Sequence, residues 1–276
     1  MLKLLNIVIT FLISTLSFFN VKELPQDERS SEKEKEKEQT MVQQIDIEDI
    51  YLEDIDPEKI VAKSSNVNSA DTGWWSYPTD IKDCSRSGDD LLVLVNKEYK
   101  LPSTYIPNGL IKVREDVIRR GSNYYLRSIL INDLKSMVDD IKGSGIDLSI
   151  VSAYRSYSTQ QSTYQYWVSY NGGCVDCTDR ISARAGHSQH QLGTTLDFSS
   201  NEINDGLGTQ FTNTKASTWL KENAYKYGFV IGYPQGYESV TGYSYESWHY
   251  RYIGRENALE MKNSGMILEE YLRSKN

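Results

Sequence analysis

Between Lys22 and Ile60 the chain carries 14 acidic and 6 basic residues, a balance of −8 that equals the formal charge of the whole 276-residue protein. Runs such as "SEKEKEKEQ" alternate Glu and Lys with few apolar groups, so they cannot bury enough surface to offset the entropy of ordering the chain. This block confines any hydrophobic core to the second two-thirds of the sequence. It reads, with the Ser-, Asn- and Asp-rich stretch that follows, as an acidic tether and linker over residues 22–87. Ile45, Ile47, Ile50, Leu52 and Ile55 offer a docking strand or helix as the alternative to a plain linker. Trp74 and Trp75 are its one sticky spot, expected to pack on the folded body, with glycan stacking as the alternative.

Ahead of the tether, one lysine and an uncharged apolar run from Leu4 to Phe19 make residues 1–21 a signal peptide or membrane anchor. Thr15 and Ser17 are the best small residues for cleavage, and no cysteine follows to take a lipid. The protein is therefore expected to be exported, to the outer face of the membrane, the cell wall or the medium, touching a bacterial membrane through this segment if it stays uncleaved. No basic surface suited to nucleic acid is present. In an exported chain, Cys174 and Cys177 of "NGGCVDCTD" read as a small disulfide. A redox role would want a helix start after a strand, and "NGGC" does not supply that context.

Apolar density rises from "LLVLV", so a folded body is expected over residues 88–276, opening with a short strand at Leu91–Val95. Leu126, Ile129, Leu130, Leu134, Met137, Val138 and Ile141 recur at three- and four-residue steps, which predicts a helix over Asp116–Lys142 closed by "GSG". Further on, "IDLSIVSAYRS", "GTTLDFS", Phe229–Gly232 and "WHYRYIG" read as strands. "STQQSTYQYWVSY", "TKASTWLKENAYKYG" and the C-terminal residues read as helices. The sum is an α+β body: helices packed on a small, mainly antiparallel sheet.

The chain has three histidines, and two of them lie with Asp197 in "RAGHSQHQLGTTLDF". His190 and Asp197 are seven apart, which fits neither one helical face nor one side of a strand, so the chain must bend; Gly193 supplies that freedom. Taken alone, the segment fits equally an exposed loop histidine and a turn aspartate. His249 adds a third ligand, and His/Asp/His with one position left for water is the arrangement of a catalytic zinc site. Glu246, three residues before His249, is the carboxylate that peptide hydrolysis needs beside such a water. In a regular strand these two side chains would face opposite ways, so a bend is expected at Ser247–Trp248.

"SAYRSYSTQQ", "SARAGHSQHQLGTTLDF" and "TGYSYESWHYRYIG" together resemble the three motif blocks of the VanY-type D-alanyl-D-alanine carboxypeptidases, over about residues 88–273. That family comprises zinc peptidases, D,D- and L,D-carboxypeptidases among them, acting on bacterial cell-wall peptides. The family pattern Ser-x-His-x-x-Gly-x-x-x-Asp falls on Ser188, His190, Gly193 and Asp197, and its Glu-x-x-His on Glu246 and His249. The resemblance implies Zn2+ held by His190, Asp197 and His249 in a cleft on the sheet, with Glu246 as general base. It places Arg155 where a guanidinium polarises the scissile carbonyl. Arg155 and Ser188 are the local donors for a terminal carboxylate, with a structural salt bridge the alternative for Arg155. Gln160 is a further substrate-side candidate, although it and His187 also fit a loop-positioning role.

The partners implied are peptidoglycan stem peptides losing a terminal D-alanine, taken by a monomer. An endopeptidase of the same fold and a non-catalytic wall-binding relative are the alternatives, and the intact ligand set with Glu246 speaks against the second. Ala185, Gln189 and Thr194–Thr195 depart from the family's usual residues. They are expected to bear on loop rigidity and substrate fit and not on the metal's immediate ligands. About a third of the tyrosines around the last block (Tyr233, Tyr237, Tyr243, Tyr245, Tyr250, Tyr252) are expected to line the cleft.

Overall fold

The computed structural model describes residues 73–276. The expectations of a signal peptide or anchor over 1–21 and of a tether up to residue 72 lie outside the described residues. No helix among the described residues is long and apolar enough to cross a membrane.

The sheet that carries the chemistry has four strands, β5 (Ser149–Ser152), β6 (Thr195–Ser199), β7 (Phe229–Ile231) and β8 (His249–Tyr252), in the order β5-β6-β8-β7. Every neighbouring pair is antiparallel. Side chains alternate across its two faces. Leu196 and Phe198 of β6 and Tyr250 and Tyr252 of β8 enter the main core with Leu134, Met137, Val138 and Ile141. Those four come from helix α1 (Ile131–Gly143), and the same core takes Leu220 from α4 (Lys215–Asn223). Asp197, His249 and Arg251 are therefore left on the opposite face. There Arg251, wholly buried, donates from Nη2 to the carbonyls of Leu91 and Val93 at 3.0 and 2.6 Å, binding the segment after Asp90 across that face.

Two short pairs precede this sheet: β1 (Lys82–Asp83) with β2 (Tyr99–Lys100), parallel, and β3 (Leu110–Lys112) with β4 (Tyr125–Arg127), antiparallel. The remaining helices are α2 (Tyr157–Tyr170), α3 (Val175–Asp179), α5 (Glu238–Thr241), α6 (Arg255–Ser264) and α7 (Leu268–Lys275). Helices on a small, largely antiparallel sheet match the α+β expectation.

Three details differ from the sequence reading. Only the second half of the expected 116–142 helix is α-helical. Arg120 takes a left-handed φ of 66°, a Cβ on Gly121 would lie 2.8 Å from the Arg114 carbonyl, and Leu126 is a strand residue paired with Ile111. Its helical spacing from Leu130 and Leu134 was incidental: tertiary pairing overrode the period, and Ile129, on the same supposed face, is 53% exposed. Leu91–Val95 forms no strand, its buried Val93, Leu94 and Val95 being held by hydrophobic contact and by Arg251. The linker does not run to residue 87, because β1 belongs to the body and Trp75 is buried beneath Arg180, whose guanidinium carbon stands 3.6 Å from the ring centre.

Cys174 and Cys177 are disulfide-bonded, as expected. A helix does start there, α3 with Cys174 as its N-cap, but it follows α2 instead of a strand.

Candidate metal centre and active site

Strand register brings the first two metal candidates together: Asp197 on β6 and His249 on β8 are direct cross-strand partners. His249 Nδ1 lies 3.0 Å from Asp197 Oδ1. The third, His190, comes from the 3-10 turn Gln189–Leu192, whose end is Gly193 at φ 64°, the bend its position in the sequence suggested. His190 Nε2 reaches Asp197 Oδ2 at 3.2 Å. Among the described residues these three form a cluster able to hold a metal ion, one ligand atom from each within 4.8 Å of the others. All are buried, at 2%, 4% and 3% exposure in sequence order, so the site is built in the protein and not on its surface.

The donor chemistry fits a zinc ion. The peptide carbonyl of Ala153, just after β5, lies 2.6 Å from His190 Nδ1 and requires a proton there, which leaves the Nε2 lone pair facing Asp197. The "SAYRS" block is thus part of the metal centre's frame. The Arg155 amide donates to the His190 carbonyl at 3.3 Å, and Ser156 caps α2 by accepting from the Thr159 amide at 3.1 Å. Ser188 Oγ accepts from the His190 amide at 3.3 Å and so caps the turn that carries the ligand.

Glu246 stands beside the cluster with Oε2 at 3.5 Å from His249 Nδ1, its side chain 14% exposed. The expected bend is present: Ser247 and Trp248 form a turn, closed by the His249 amide on the Glu246 carbonyl, before β8 begins. Burial raises the Glu246 carboxyl well above its ordinary range, and the charge of Asp197 adds to this while Arg155 opposes it. Burial would likewise raise Asp197, but His190 foremost, then His249, hold it well below the usual carboxylate range. The His190 imidazole is pushed down to about 4 by burial and by Arg155, which keeps it neutral, the form a metal needs.

Arg155 is partly buried, feels both Asp197 and Glu246, and keeps a buried Nε with no hydrogen-bond partner. An orphaned guanidinium donor beside a hydrolytic centre is suited to a carbonyl or carboxylate oxygen. The salt-bridge alternative for Arg155 finds no carboxylate partner among the described ion pairs.

Gln160 is 1% exposed and donates its Nε2 to the Ala183 carbonyl at 2.6 Å, tying α2 to the start of the histidine loop. That bond serves loop positioning, while the buried Gln160 Oε1 has no hydrogen-bond partner among the described residues. His187 also stands apart from the cluster, with Nδ1 2.8 Å from the Asn96 carbonyl.

Three further residues complete the surroundings, of which sequence reasoning missed Gly232 altogether. Tyr233 stacks on His249 with ring centres 4.6 Å apart. Gly232 lies beside the same imidazole, where an added Cβ would come within 2.5 Å of its Cδ2. Gln189, expected to matter only for loop and substrate fit, places Oε1 at 3.3 Å from His249 Nε2. Of the other tyrosines near the last block, Tyr250 and Tyr252 are core residues, and Tyr237 is exposed.

The family model described as VanY, D-alanyl-D-alanine carboxypeptidase, matches residues 123–255. YodJ of Bacillus subtilis is 35% identical over 218 residues, covering 76% of this chain and 79% of its own. Among solved structures, the LdcB LD-carboxypeptidase superposes with a TM-score of 0.60 at 36% identity, covering 67% of this chain and 87% of that one. The vancomycin-resistance D,D-pentapeptidase VanY, solved as a mutant in complex with Zn(II), does so with a TM-score of 0.56 at 28% identity over 67% and 99% of the two chains. With its motif blocks folded into one buried His/Asp/His centre and a relative matched over four-fifths of its length, the chain belongs to the VanY D-alanyl-D-alanine carboxypeptidase family.

Proposed function

We propose that this protein is a zinc carboxypeptidase that removes the terminal D-alanine from peptidoglycan stem peptides, with the tetrapeptide, an L,D cut, as its preferred substrate. The observation that carries the reading is the cross-strand pair Asp197 and His249, joined by His190 and flanked by Glu246 within 3.5 Å of a ligand atom. The preference for an L,D cut is supported by the higher identity to the LD-carboxypeptidase LdcB, 36%, than to the D,D-pentapeptidase VanY, 28%. The apolar run from Leu4 to Phe19 supports action outside the membrane, where such substrates lie.

In this reading His190 Nε2, Asp197 and His249 Nδ1 hold the zinc, which supplies Lewis acidity to the scissile carbonyl and acidity to a water molecule. Glu246, whose carboxylate form the positive charge of a bound zinc would favour against its burial, would take a proton from that water and deliver it to the leaving amine of D-alanine. Its side chain is 14% exposed, so it is not sealed from the cleft. Arg155 offers its free Nε to an oxygen of the substrate, and Ser188, on the ligand-bearing turn, keeps a hydroxyl proton available to the terminal carboxylate.

Incubating the zinc-loaded full-length chain with defined tripeptide, tetrapeptide and pentapeptide stems, and weighing the products by mass spectrometry, tests the proposal. Loss of one D-alanine from the tetrapeptide, faster than from the pentapeptide, is expected. Fragments larger than one residue would make it an endopeptidase, and faster cleavage of the pentapeptide would make it a D,D enzyme.

A further inference from the structure

We propose that Gln189 is the positioning residue that sets which nitrogen of His249 carries the proton, and thereby keeps Nδ1 open to the metal. The inference rests on the metal-centre reading above. His249 must present a bare Nδ1 to the cluster, because that is the nitrogen facing Asp197 and Glu246, at 3.0 and 3.5 Å. A neutral imidazole has one proton for two nitrogens. A metal on Nδ1 leaves that proton on Nε2, where it needs an acceptor. The acceptor on that side is Gln189 Oε1, 3.3 Å from Nε2. Among the described residues it is the hydrogen-bond partner of that nitrogen, and with Gln189 4% exposed and His249 3% exposed, water is poorly placed to substitute.

The packing around the imidazole limits its movement away from this choice. Tyr233 covers one side of the ring with an interplanar angle of 28°. At Gly232 a Cβ would come within 2.5 Å of His249 Cδ2, 3.1 Å of its Nε2 and 3.3 Å of Gln189 Oε1, so backbone stripped of any side chain forms the wall where ring and amide meet. Gln189 and His190 are adjacent on one 3-10 turn, so a single short element delivers one ligand directly and orients another. The Ala153 carbonyl does for His190 what Gln189 does for His249: each fixes the proton on the nitrogen turned away from the cluster.

The test compares the full-length chain with Gln189→Met, which keeps length and removes the acceptor, and Gln189→Glu, which restores an acceptor with charge. Zinc affinity is measured by competition with a chromophoric chelator, and the His249 tautomer of the metal-free proteins by ¹⁵N shifts of labelled histidine. Loss of such an outer partner typically weakens metal binding about 10–100-fold, which is the expectation for Gln189→Met, with its proton moved to Nδ1. Gln189→Glu is expected to bind zinc at least as tightly as the parent, with the proton on Nε2. Zinc affinity of Gln189→Met within about threefold of the parent, or an unchanged tautomer, would overturn the proposal. Should Gln189→Met not fold, the charged variant decides: weaker zinc binding than the parent overturns the assignment. A parent that binds no zinc would strike at the metalloenzyme reading itself, a result separate from any difference among the variants.

Discussion

Gly232→Ala is the smallest perturbation that reaches the metal centre without altering a ligand. The added methyl would stand 2.5 Å from His249 Cδ2, whereas carbon atoms in contact settle at about 3.5–4.0 Å, so ring and backbone must separate by roughly 1 Å. Tyr233, stacked with its ring centre 4.6 Å from that of His249, limits retreat on its side, and Nδ1 is committed to Asp197. Overpacking of this kind costs about 1–3 kcal/mol. That cost has two outlets. If the imidazole stays in place, the metal-free protein is destabilised by the full amount; if it swings aside, stability is spared and zinc affinity falls by the equivalent of about 5- to 150-fold, since each 1.4 kcal/mol is tenfold. The sum is constrained although the partition is not. Denaturant unfolding with chelator in excess reads the first outlet and zinc competition the second. Gly143→Ala is the control, because a Cβ there meets nothing within 4 Å and the position closes α1, far in sequence from every ligand. A Gly232→Ala variant with parental unfolding free energy and parental zinc affinity would show that the ring is not confined, and the positioning argument would fall with it.

Glu246→Gln is expected to keep zinc and lose about 10²–10⁴-fold in kcat, as removal of a general base does; an unchanged kcat in the zinc-loaded variant would refute its role. Amidating the C-terminus of the stem peptide is expected to lower kcat/KM at least about tenfold, because Arg155 and Ser188 would face a neutral group and unpaired donors cost about 1–3 kcal/mol each, and equal cleavage of both peptides would remove the carboxylate-binding assignment. Reducing the Cys174–Cys177 disulfide with a phosphine is expected to leave zinc in place, since neither sulfur belongs to the cluster, and metal analysis before and after reduction checks it. Lys97 is buried with its Nζ 4.2 and 4.0 Å from the ring centres of Tyr77 and Tyr243, and burial pushes its ammonium down to about 7. Between that value and its unfolded one near 10.5 the unfolded chain binds more protons, so stability relative to Lys97→Met should climb as pH rises through that window; a flat difference in unfolding free energy would contradict it.

The sheet was legible in the sequence because its strands obey one rule each. β6 alternates core and site residues through Leu196, Asp197 and Phe198, and β8 does so through His249, Tyr250 and Arg251. Once these two strands are recognised, antiparallel pairing puts the ligands on one face. The 116–142 helix failed for the converse reason. Leu126 and Leu130 satisfy a helical step equally well as a strand residue and a 3-10 residue, and only the partner strand Leu110–Lys112, distant in sequence, decides between them. The Leu91–Val95 segment shows the same blindness from the other side: an apolar run has the composition of a strand, yet its carbonyls are taken by a buried arginine from β8.

The ligands of the centre announce themselves because histidine and aspartate close together have little reason to exist in a core without a metal or an ion pair. Their supports carry no such mark. Tyr233 is one of 20 tyrosines and Gly232 one of 18 glycines, and what each does depends on β7 lying beside β8 with Ile231 opposite Tyr250. Gln189 is more instructive, since its departure from the family's usual residue was visible and its neighbour was not. From sequence, a side chain next to His190 is expected to act on His190. In the folded chain the 3-10 turn sends adjacent side chains to different neighbours, so that His190 meets Asp197 while Gln189 meets His249, 60 residues away. A motif read along the chain therefore identifies what binds the metal, whereas the groups that decide how tightly it is bound are assigned only by the contacts between strands and turns.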